Sequence, residues 1–484
     1  MDAENRNGTN SWISKIMGIG LLFLIVVGVL FGQTTTNSQD VKNANYQKGY
    51  EIGLEAYIYG LPLLVTNATY ETMTSVNVSE GAFGPVNQFN NVHSLNNAGS
   101  TAVVATGATN LSSIAWLDLN NGPMVLHIPE VQNHLYCLAL IDPYTENLVT
   151  FGTASGTKSG DYVIVNSSQK DVAIPKGAHR VIVDYSRIWI IGSTQLKGPE
   201  DVANVNKIQD GYTLTPLSQY GKAYTPSAPT KAISKVRVYS VPKGIEFFDV
   251  LGQQLALFPP PARDKGELKK FASVGIGAGL TPSQNTVLNS DIKRGLNDAV
   301  AAGPSLIQKY IQEESLAEFS KHNGYMLGGF GQYGSNYKLR AVVSQVGLGA
   351  FTSSQAIYAL AWTDHNKKPL DGSKSYVIHM ASPPPTTEGW SLTLYTLKGA
   401  MIKNPINRYA FTNTSDLTIN KDGSIDFYLQ PTEPSNPAQQ KNWLPTADGK
   451  GFEVMWRLFA PQTDKIKGIV DGSGWQPPII QLVQ

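Results

Sequence analysis

The sequence has little cysteine and little charge. Its single cysteine among 484 residues, Cys137, excludes a disulfide within one molecule. Cys137 lies in an apolar segment, where a lone cysteine usually acts as a small hydrophobic residue. Asp, Glu, Lys and Arg make up 15% of the chain, against roughly 25% in ordinary globular domains. The polar surface must therefore consist largely of uncharged side chains and glycine, which suits turn-rich β-sheets in an extracytoplasmic setting.

Clusters of basic residues and recognised cofactor motifs are also missing. The net charge is +1 and no long run of Lys and Arg occurs, whereas salt-dependent binding of phosphates requires clustered cations. We therefore expect no nucleic-acid partner. The seven histidines have no metal-ligand spacing, and no Walker loop or zinc-protease motif is present. The sequence thus predicts neither a metal nor a cofactor.

One glycine-rich motif, at residues 329–334, has the spacing G-x-G-x-x-G. A dinucleotide-binding motif of this kind needs a strand before it and a helix after it. Residues 335–343 have the pattern of a strand, so we expect no nucleotide site there.

The N-terminus contains an uncharged apolar run at residues 16–31, preceded by Lys15 and followed by polar residues. Its length lies between that of a signal-peptide core and the ~20 residues of a membrane-spanning helix. The pattern predicts export. It leaves open whether residues 1–32 are a cleaved signal peptide or a single membrane anchor.

The remaining chain predicts an α+β, β-rich fold with two antiparallel β-sandwich-like domains. Short strands separated by Gly, Pro, Asn and Asp turns occur over residues 102–191 and again from Tyr337. Helical patterns predominate between them, so a helical connection is expected. We assign an N-terminal β-rich domain to 33–198, the connection to 199–325 and the C-terminal domain to 326–484.

Several helices are expected at defined positions. A four-residue spacing of apolar side chains predicts a helix over residues 45–59, ended by Pro62. Two further helices are expected over 292–302 and 304–319, separated at a proline. A short helix is expected at 354–360.

Ordered motifs along the body resemble two paired families, the domains of unknown function 1254 and 1214. The N-terminal motifs are AYIYGLP at 56–62, AWLDL at 115–119, WIIGSTQ at 189–195 and IQDGY at 208–212. The C-terminal motifs are PLDG at 369–372, WSLTLY at 390–395, NPINRY at 404–409, DGS at 422–424 and NWLP at 442–445.

The resemblance implies exported or envelope proteins of bacteria, with relatives in large viruses and no agreed reaction. It also implies that the C-terminal domain is a jelly-roll-like sandwich, a shape often used to bind carbohydrate. Two acidic stretches typical of the families are replaced here by residues 107–112 and 353–355. If those acids carry chemistry in relatives, this chain has lost it.

Polar and aromatic residues within or near these motifs are the candidate ligand-binding residues. Sugars are commonly held by an aromatic face together with a few fixed hydrogen-bonding groups, and a carboxylate pair would add glycosidic acid–base chemistry. Each residue also has a structural alternative, because buried Arg, Asp and Trp often hold strands together. The candidates are Asp118, Asp142, Arg187, Trp189, Arg408, Asn442, Trp443 and Arg457.

Two hypotheses for the function follow. The first is an extracytoplasmic protein that binds carbohydrate or another polar ligand or polymer, with divergent hydrolysis as its extension. The second is a non-catalytic structural or interaction protein of an envelope or virion surface. The aromatic and arginine motifs favour the first, and the missing acidic stretches favour the second. An uncleaved anchor would make the membrane a partner, and either hypothesis allows a homo-oligomer.

Overall fold

The computed structural model describes residues 43–95, 107–226, 231–328, 330–447 and 449–483. The apolar run at 16–31, on which the export prediction depends, lies outside these residues. Within them, no helix combines the length and the hydropathy required to cross a membrane. The described residues form eight α-helices and 18 strands, which confirms the predicted α+β, β-rich class.

The helices are numbered along the chain. They are α1 (Ala44–Met73), α2 (Val202–Gly211), α3 (Glu246–Leu257), α4 (Lys265–Ala272), α5 (Ser290–Lys321), α6 (Tyr337–Val346), α7 (Pro437–Lys441) and α8 (Thr463–Asp471).

The strands fall into an N-terminal and a C-terminal group. The first comprises β1 (Asn90–Asn91), β2 (Asn110–Asp118), β3 (Met124–Ile128), β4 (Tyr136–Ile141), β5 (Asn147–Gly152), β6 (Gly160–Asn166), β7 (His179–Val183), β8 (Arg187–Gln195) and β9 (Thr213–Pro216). The second comprises β10 (Met326–Gly328), β11 (Ala356–Ala361), β12 (Tyr376–Met380), β13 (Trp390–Thr396), β14 (Ala410–Thr412), β15 (Ile425–Gln430), β16 (Trp443–Pro445), β17 (Phe452–Phe459) and β18 (Ile480–Leu482).

The N-terminal strands form a sandwich of two sheets. Sheet A has the order β1-β2-β8-β4-β5 and sheet B the order β7-β6-β3-β9. All pairings are antiparallel except β6 with β7. Because side chains alternate along a strand, Leu138 and Leu140 enter the core between the sheets, whereas Cys137, Ala139 and Ile141 lie on the outer face of sheet A.

The C-terminal strands form a second sandwich. Sheet C has the order β10-β11-β17-β13-β14, and sheet D has the order β16-β15-β12-β18. Residues such as Leu394, Phe427 and Trp456 fill the core between these sheets. The two sandwiches are the two β domains that the strand and turn patterns predicted.

A helical body packs beside the sandwiches. Its core combines α1 with α3, α4, α5 and α6, so it draws on chain both before and after the expected connection at 199–325. The closest approach is between α1 and α5. A Cβ atom added at Gly49 would lie 2.4 Å from the Ile292 carbonyl oxygen, and one at Gly295 would lie 2.3 Å from the Tyr46 carbonyl oxygen. Only glycine permits this backbone contact.

Two predicted helix ends were wrong. Helix α1 continues through Pro62 to Met73, and α5 continues through Pro304 to Lys321. A proline inside a helix removes one backbone hydrogen bond. In α1, burial of every residue from Ala56 to Leu64 offsets that cost.

The element types predicted around the start of the C-terminal sandwich were exchanged. Residues 337–346 form helix α6 rather than a strand, because burial against the helical body overrides the strand preference of Val342 and Val343. Residues 356–361 form strand β11 rather than a helix. This strand is buried along nearly its whole length, so it lacks the two-residue alternation that identifies a strand in sequence.

Candidate functional site

The outer face of sheet C carries a group of mainly buried polar side chains, here called the polar face. Its members are Tyr358 on β11, Ser391, Thr393 and Tyr395 on β13, and Glu453 and Arg457 on β17. Val454, Trp456 and Leu458 point into the core of the sandwich, so the alternate residues of β17 point outward. An outer sheet face usually meets water, but Ser391, Thr393, Tyr395 and Glu453 are fully buried.

Strand register places Arg457 at one end of the polar face. It lies opposite Ser391 on one side and Tyr358 on the other. Its Nη2 donates to the Tyr395 hydroxyl at 2.8 Å, and its Nη1 donates to Thr393 Oγ1 at 3.4 Å. The guanidinium carbon is 5.5 Å from the centroid of the Tyr395 ring. These contacts fix the guanidinium against hydroxyl and aromatic groups of β13.

Glu453 lies at the other end, opposite Tyr395 in the register. It is 0% exposed, and neither carboxylate oxygen has a hydrogen-bond partner among the described residues. The same face carries the apolar side chains of Leu360, Trp362 and Met455. Burial raises the pKa of Glu453 from 4.5 to about 8. At neutral pH this side chain is therefore a neutral acid that can donate a hydrogen bond.

A second buried group on the face, the Ser391 hydroxyl, also lacks a partner among the described residues. Native proteins leave few buried polar atoms unpaired, and each such atom calls for an explanation. Two such groups, the Glu453 carboxyl and the Ser391 hydroxyl, on one sheet face indicate a site that can accept a polar group.

The polar face is turned toward the N-terminal sandwich. The pKa of Tyr358 is raised to about 12, mainly by burial. Arg457 lowers this pKa, and Cys137 on the outer face of sheet A makes a smaller contribution that raises it. Gln355 Nε2, just before β11, donates to Ser155 Oγ at 2.8 Å. The site therefore lies where the two sandwiches meet.

Cys137 contributes no nucleophile to this junction. It is buried, and burial raises the pKa of its thiol far above the ordinary value. A reactive cysteine needs a thiolate, so Cys137 acts as a small apolar side chain, as its sequence context predicted.

The chemistry available to the polar face is binding and proton donation. Arg457, Tyr395, Thr393 and Ser391 offer donors and hydroxyl groups to an oxygen-rich ligand. Glu453 is the single carboxyl group of the face, whereas glycoside hydrolysis commonly uses two. In the part of the chain that the structure describes, no three His, Cys, Asp or Glu side chains converge to hold a metal.

A separate buried cluster surrounds Arg340 of α6. Its guanidinium carbon lies 5.1, 5.5 and 5.2 Å from the ring centroids of Tyr59, Tyr144 and Tyr337. The Asp264 carboxylate accepts hydrogen bonds from Tyr59 at 2.8 Å and Tyr337 at 2.7 Å. These contacts hold α1 and α6 against the turn that follows β4.

The glycine-rich motif has a different context from the one that the sequence predicted. Strand β10 precedes it and helix α6 follows it, although Gly329 itself lies outside the described residues. However, β10 pairs antiparallel with β11 rather than in a parallel βαβ unit. The N–H groups of Tyr333 and Gly334 donate to the Glu146 carboxylate at 2.9 and 3.0 Å. The loop thus binds a carboxylate of the protein itself.

Two predicted site residues lie at the ends of strands in the N-terminal sandwich. Asp118 is the last residue of β2, and its Oδ1 accepts the N–H of Asn120 at 2.9 Å. Asp142 Oδ1 accepts the N–H groups of Tyr144 and Glu146 at 2.8 and 2.9 Å, after β4. Burial raises the pKa of Asp142 to about 7.

The other two N-terminal candidates join sheet A to its surroundings. Arg187, opposite Asp118 in the register, donates from Nη1 to Asn67 Oδ1 on α1 at 2.7 Å. Burial lowers its pKa. Trp189 stacks on Trp116, with ring centroids 4.8 Å apart and an interplanar angle of 6°.

Three of the four C-terminal candidates come together around β16 and bond to backbone groups. Arg408 Nη1 donates to the carbonyl oxygens of Gln440 at 2.8 Å and Trp443 at 3.0 Å. Asn442 Nδ2 donates to the Thr418 carbonyl at 2.8 Å, and Trp443 Nε1 donates to the Gln430 carbonyl at 2.8 Å. Arg457 is the candidate that belongs to the polar face.

Sequence reasoning missed the other members of the polar face. The available signal was Glu453 in the strand sequence FEVMWRLF, where an acid interrupts an otherwise apolar strand four residues before Arg457. Two residues of the same parity on one strand share a face. The partners on β13 could not be identified without the strand pairing.

Comparisons with known proteins agree with the motifs. Residues 355–463 match the family model DUF1214 and residues 86–216 match DUF1254, each described as a protein of unknown function. No curated protein matches the chain.

Two solved structures of uncharacterised proteins are similar. The VPA0106 protein from Vibrio parahaemolyticus has a TM-score of 0.66 at 20% identity, covering 90% of this chain and 100% of that one. A putative uncharacterized protein from Burkholderia cenocepacia has a TM-score of 0.41 at 11% identity, covering 92% of this chain and 95% of that one. The first similarity shows a shared fold. The family matches, DUF1254 over residues 86–216 and DUF1214 over residues 355–463, agree with the resemblance that the motifs indicated for the N-terminal and C-terminal halves.

Proposed function

We propose that this chain is an extracytoplasmic protein that binds a hydroxyl-rich ligand of the carbohydrate class at the polar face. The observation that carries the proposal is the Arg457–Tyr395 hydrogen bond of 2.8 Å, on a face where the Glu453 carboxyl and the Ser391 hydroxyl have no hydrogen-bond partner among the described residues. The apolar run at residues 16–31 supports export.

The residue types of the face suit a sugar better than an apolar ligand. Aromatic rings such as Tyr358 can pack against the C–H groups of a sugar, while Arg457 and Thr393 can contact its hydroxyl oxygens. A protonated Glu453 would donate a hydrogen bond where an ionised carboxylate would only accept. Binding without hydrolysis is the simpler activity, because the face offers one carboxyl group.

Calorimetric titration of the protein with neutral and uronic-acid-containing oligosaccharides tests the proposal. We expect one class to bind and to raise the melting temperature. Loss of a hydrogen bond to a charged group costs about 1.5–3 kcal/mol, so Arg457→Met and Tyr395→Phe should each weaken binding roughly ten- to a hundredfold.

Tyr428→Phe provides the matched control, because Tyr428 lies on β15 of sheet D rather than on the polar face. This variant should bind as the wild type does. If Arg457→Met binds the oligosaccharide as tightly as the wild type does, the polar face is not the binding site. If neither class of oligosaccharide binds, the carbohydrate proposal fails and a surface interaction without a sugar ligand takes its place. Release of reducing ends during the titration would extend the activity to hydrolysis.

A further inference from the structure

Residues 231–243 form an exposed segment, here called the basic arm, that belongs to no helix or strand. Between Asp210 and Glu246 the chain has five basic residues and no acidic one, although basic and acidic residues number 38 and 37 overall. Four of the five lie in the basic arm, all exposed and none in an ion pair with a described residue. They are Lys231, Lys235, Arg237 and Lys243.

One edge of the basic arm is fixed to the end of α1 and the residues that follow it. Its backbone N–H groups donate there as follows: Ile233 to Asn77 Oδ1 at 2.7 Å, Arg237 to Ser75 Oγ at 2.9 Å, and Tyr239 to Thr72 Oγ1 at 3.0 Å. The Ile233 carbonyl oxygen also accepts the N–H of Asn77 at 3.0 Å. The bonded N–H groups lie at intervals of two and four residues, which is the periodicity of an extended chain.

The other edge is open. In an extended chain, alternate N–H groups point to opposite edges, so those of Ser234, Val236, Val238 and Ser240 point away from α1. None of the four donates to an atom of the described residues. The side chains of Ile233, Val238 and Tyr239 are 43, 42 and 38% exposed, and all three residue types favour strands. The basic arm therefore presents an unpaired strand edge with positive charge beside it.

We propose that the basic arm binds an acidic peptide segment of a partner protein, which adds to the open edge as a β-strand. Main-chain hydrogen bonds to the edge would supply affinity, and alternate side chains would supply specificity. The four cations select acidic over basic sequences. A flexible polyanion would use the cations but leave the open N–H groups unused, so the open edge favours a peptide. This surface is independent of the proposed sugar site.

The test uses a labelled peptide of alternating Asp and Val residues and measures its binding by fluorescence anisotropy. We expect binding that weakens at least tenfold as salt rises from about 50 to about 300 mM, because exposed charges are screened. Reversal of all four cations to Glu should abolish it. The control reverses four exposed lysines elsewhere, namely Lys207, Lys374, Lys398 and Lys421, and should leave binding unchanged.

Val238→Pro separates strand addition from simple charge attraction. Proline removes the N–H that the open edge would donate and suits an extended chain, so the melting temperature should be unchanged and peptide binding lost. Ser240→Pro is a second variant of the same design. Wild-type peptide binding by both variants would overturn strand addition in favour of a polyanion. Binding to vesicles of phosphatidylserine and phosphatidylcholine without peptide binding would overturn the proposal in favour of a membrane surface, and no binding of either would remove the arm as a docking site.

Discussion

Replacement of Glu453 by Gln should change how the stability of the protein depends on pH. Glu453 is fully buried with no described partner, and its pKa is raised from 4.5 to about 8 in the folded state. The folded protein therefore holds this proton more tightly than the unfolded chain does. Stability is consequently lost as pH rises from about 4.5 to about 8, the range in which the unfolded chain has released the proton and the folded protein still retains it.

The size of the effect follows from the two pKa values. Each pKa unit corresponds to about 1.4 kcal/mol, so Glu453 should lower the free energy of unfolding by about 3 kcal/mol at pH 7, about 4 kcal/mol at pH 8 and about 5 kcal/mol well above pH 8, relative to acidic pH. Glutamine has a similar shape and does not titrate. We therefore expect Glu453→Gln to remove this slope, so that the variant gains stability relative to the wild type as pH rises.

Urea denaturation at a series of pH values between 5 and about 8.5 measures the difference. The quantity to compare is the slope of the free energy of unfolding against pH. A buried amide without partners changes that free energy by the same amount at every pH, so it leaves the slope unchanged. Glu433→Gln, at an exposed position, is the control and should run parallel to the wild type. Parallel curves for the wild type and Glu453→Gln would refute the assignment of a raised pKa to this carboxyl group.

Three further changes test the structural roles of Arg408, Gly49 and His322. Arg408→Ala should lower the free energy of unfolding by about 2 kcal/mol through lost hydrogen bonds to backbone oxygens; unchanged melting with an altered ligand response would instead mark Arg408 as a site residue. Gly49→Ala should destabilise the protein by more than about 3 kcal/mol, because the added Cβ has no room against α5. Gly266→Ala on α4 is the control. The space around its added Cβ is open, so this variant should be neutral or stabilising by up to about 1 kcal/mol. Burial lowers the pKa of His322, but the Glu318 carboxylate, 3.0 Å from Nε2, outweighs burial and the pKa is raised overall. The stability that His322 contributes is therefore present below about pH 6.5 and is lost as pH rises through the folded pKa. His322→Gln should abolish this pH dependence in the same denaturation series.

The sequence predicted those parts of the fold that depend on local signals. Turn residues and alternating strands identified both sandwiches, and the order of motifs identified both families. The predicted helix ends were wrong because a proline usually ends a helix, whereas these two helices continue through theirs. Pro62 lies in a helix buried almost all round, and only tertiary contacts reveal that burial.

Of the candidate residues selected from the sequence, Arg457 lies on the polar face. Motif position selected Arg408, Asn442 and Trp443, whose side chains donate to backbone carbonyl groups. The polar face depends on which strands are neighbours, since Tyr395 meets Glu453 and Arg457 only through the pairing of β13 with β17. Pairing between distant segments is not encoded in local sequence patterns, so the sequence alone does not mark residues such as Glu453 as members of a site.

The contact between α1 and α5 has a consequence for synthesis of the chain. The two helices are separated by more than 200 residues, and the entire N-terminal sandwich lies between them. At about 5–20 residues per second, the ribosome needs roughly ten to fifty seconds after finishing α1 to complete α5. During that interval α1 has no partner for the surface that α5 later covers. A nascent chain of this kind would depend on a chaperone, or on export before folding, to keep the helix from aggregating.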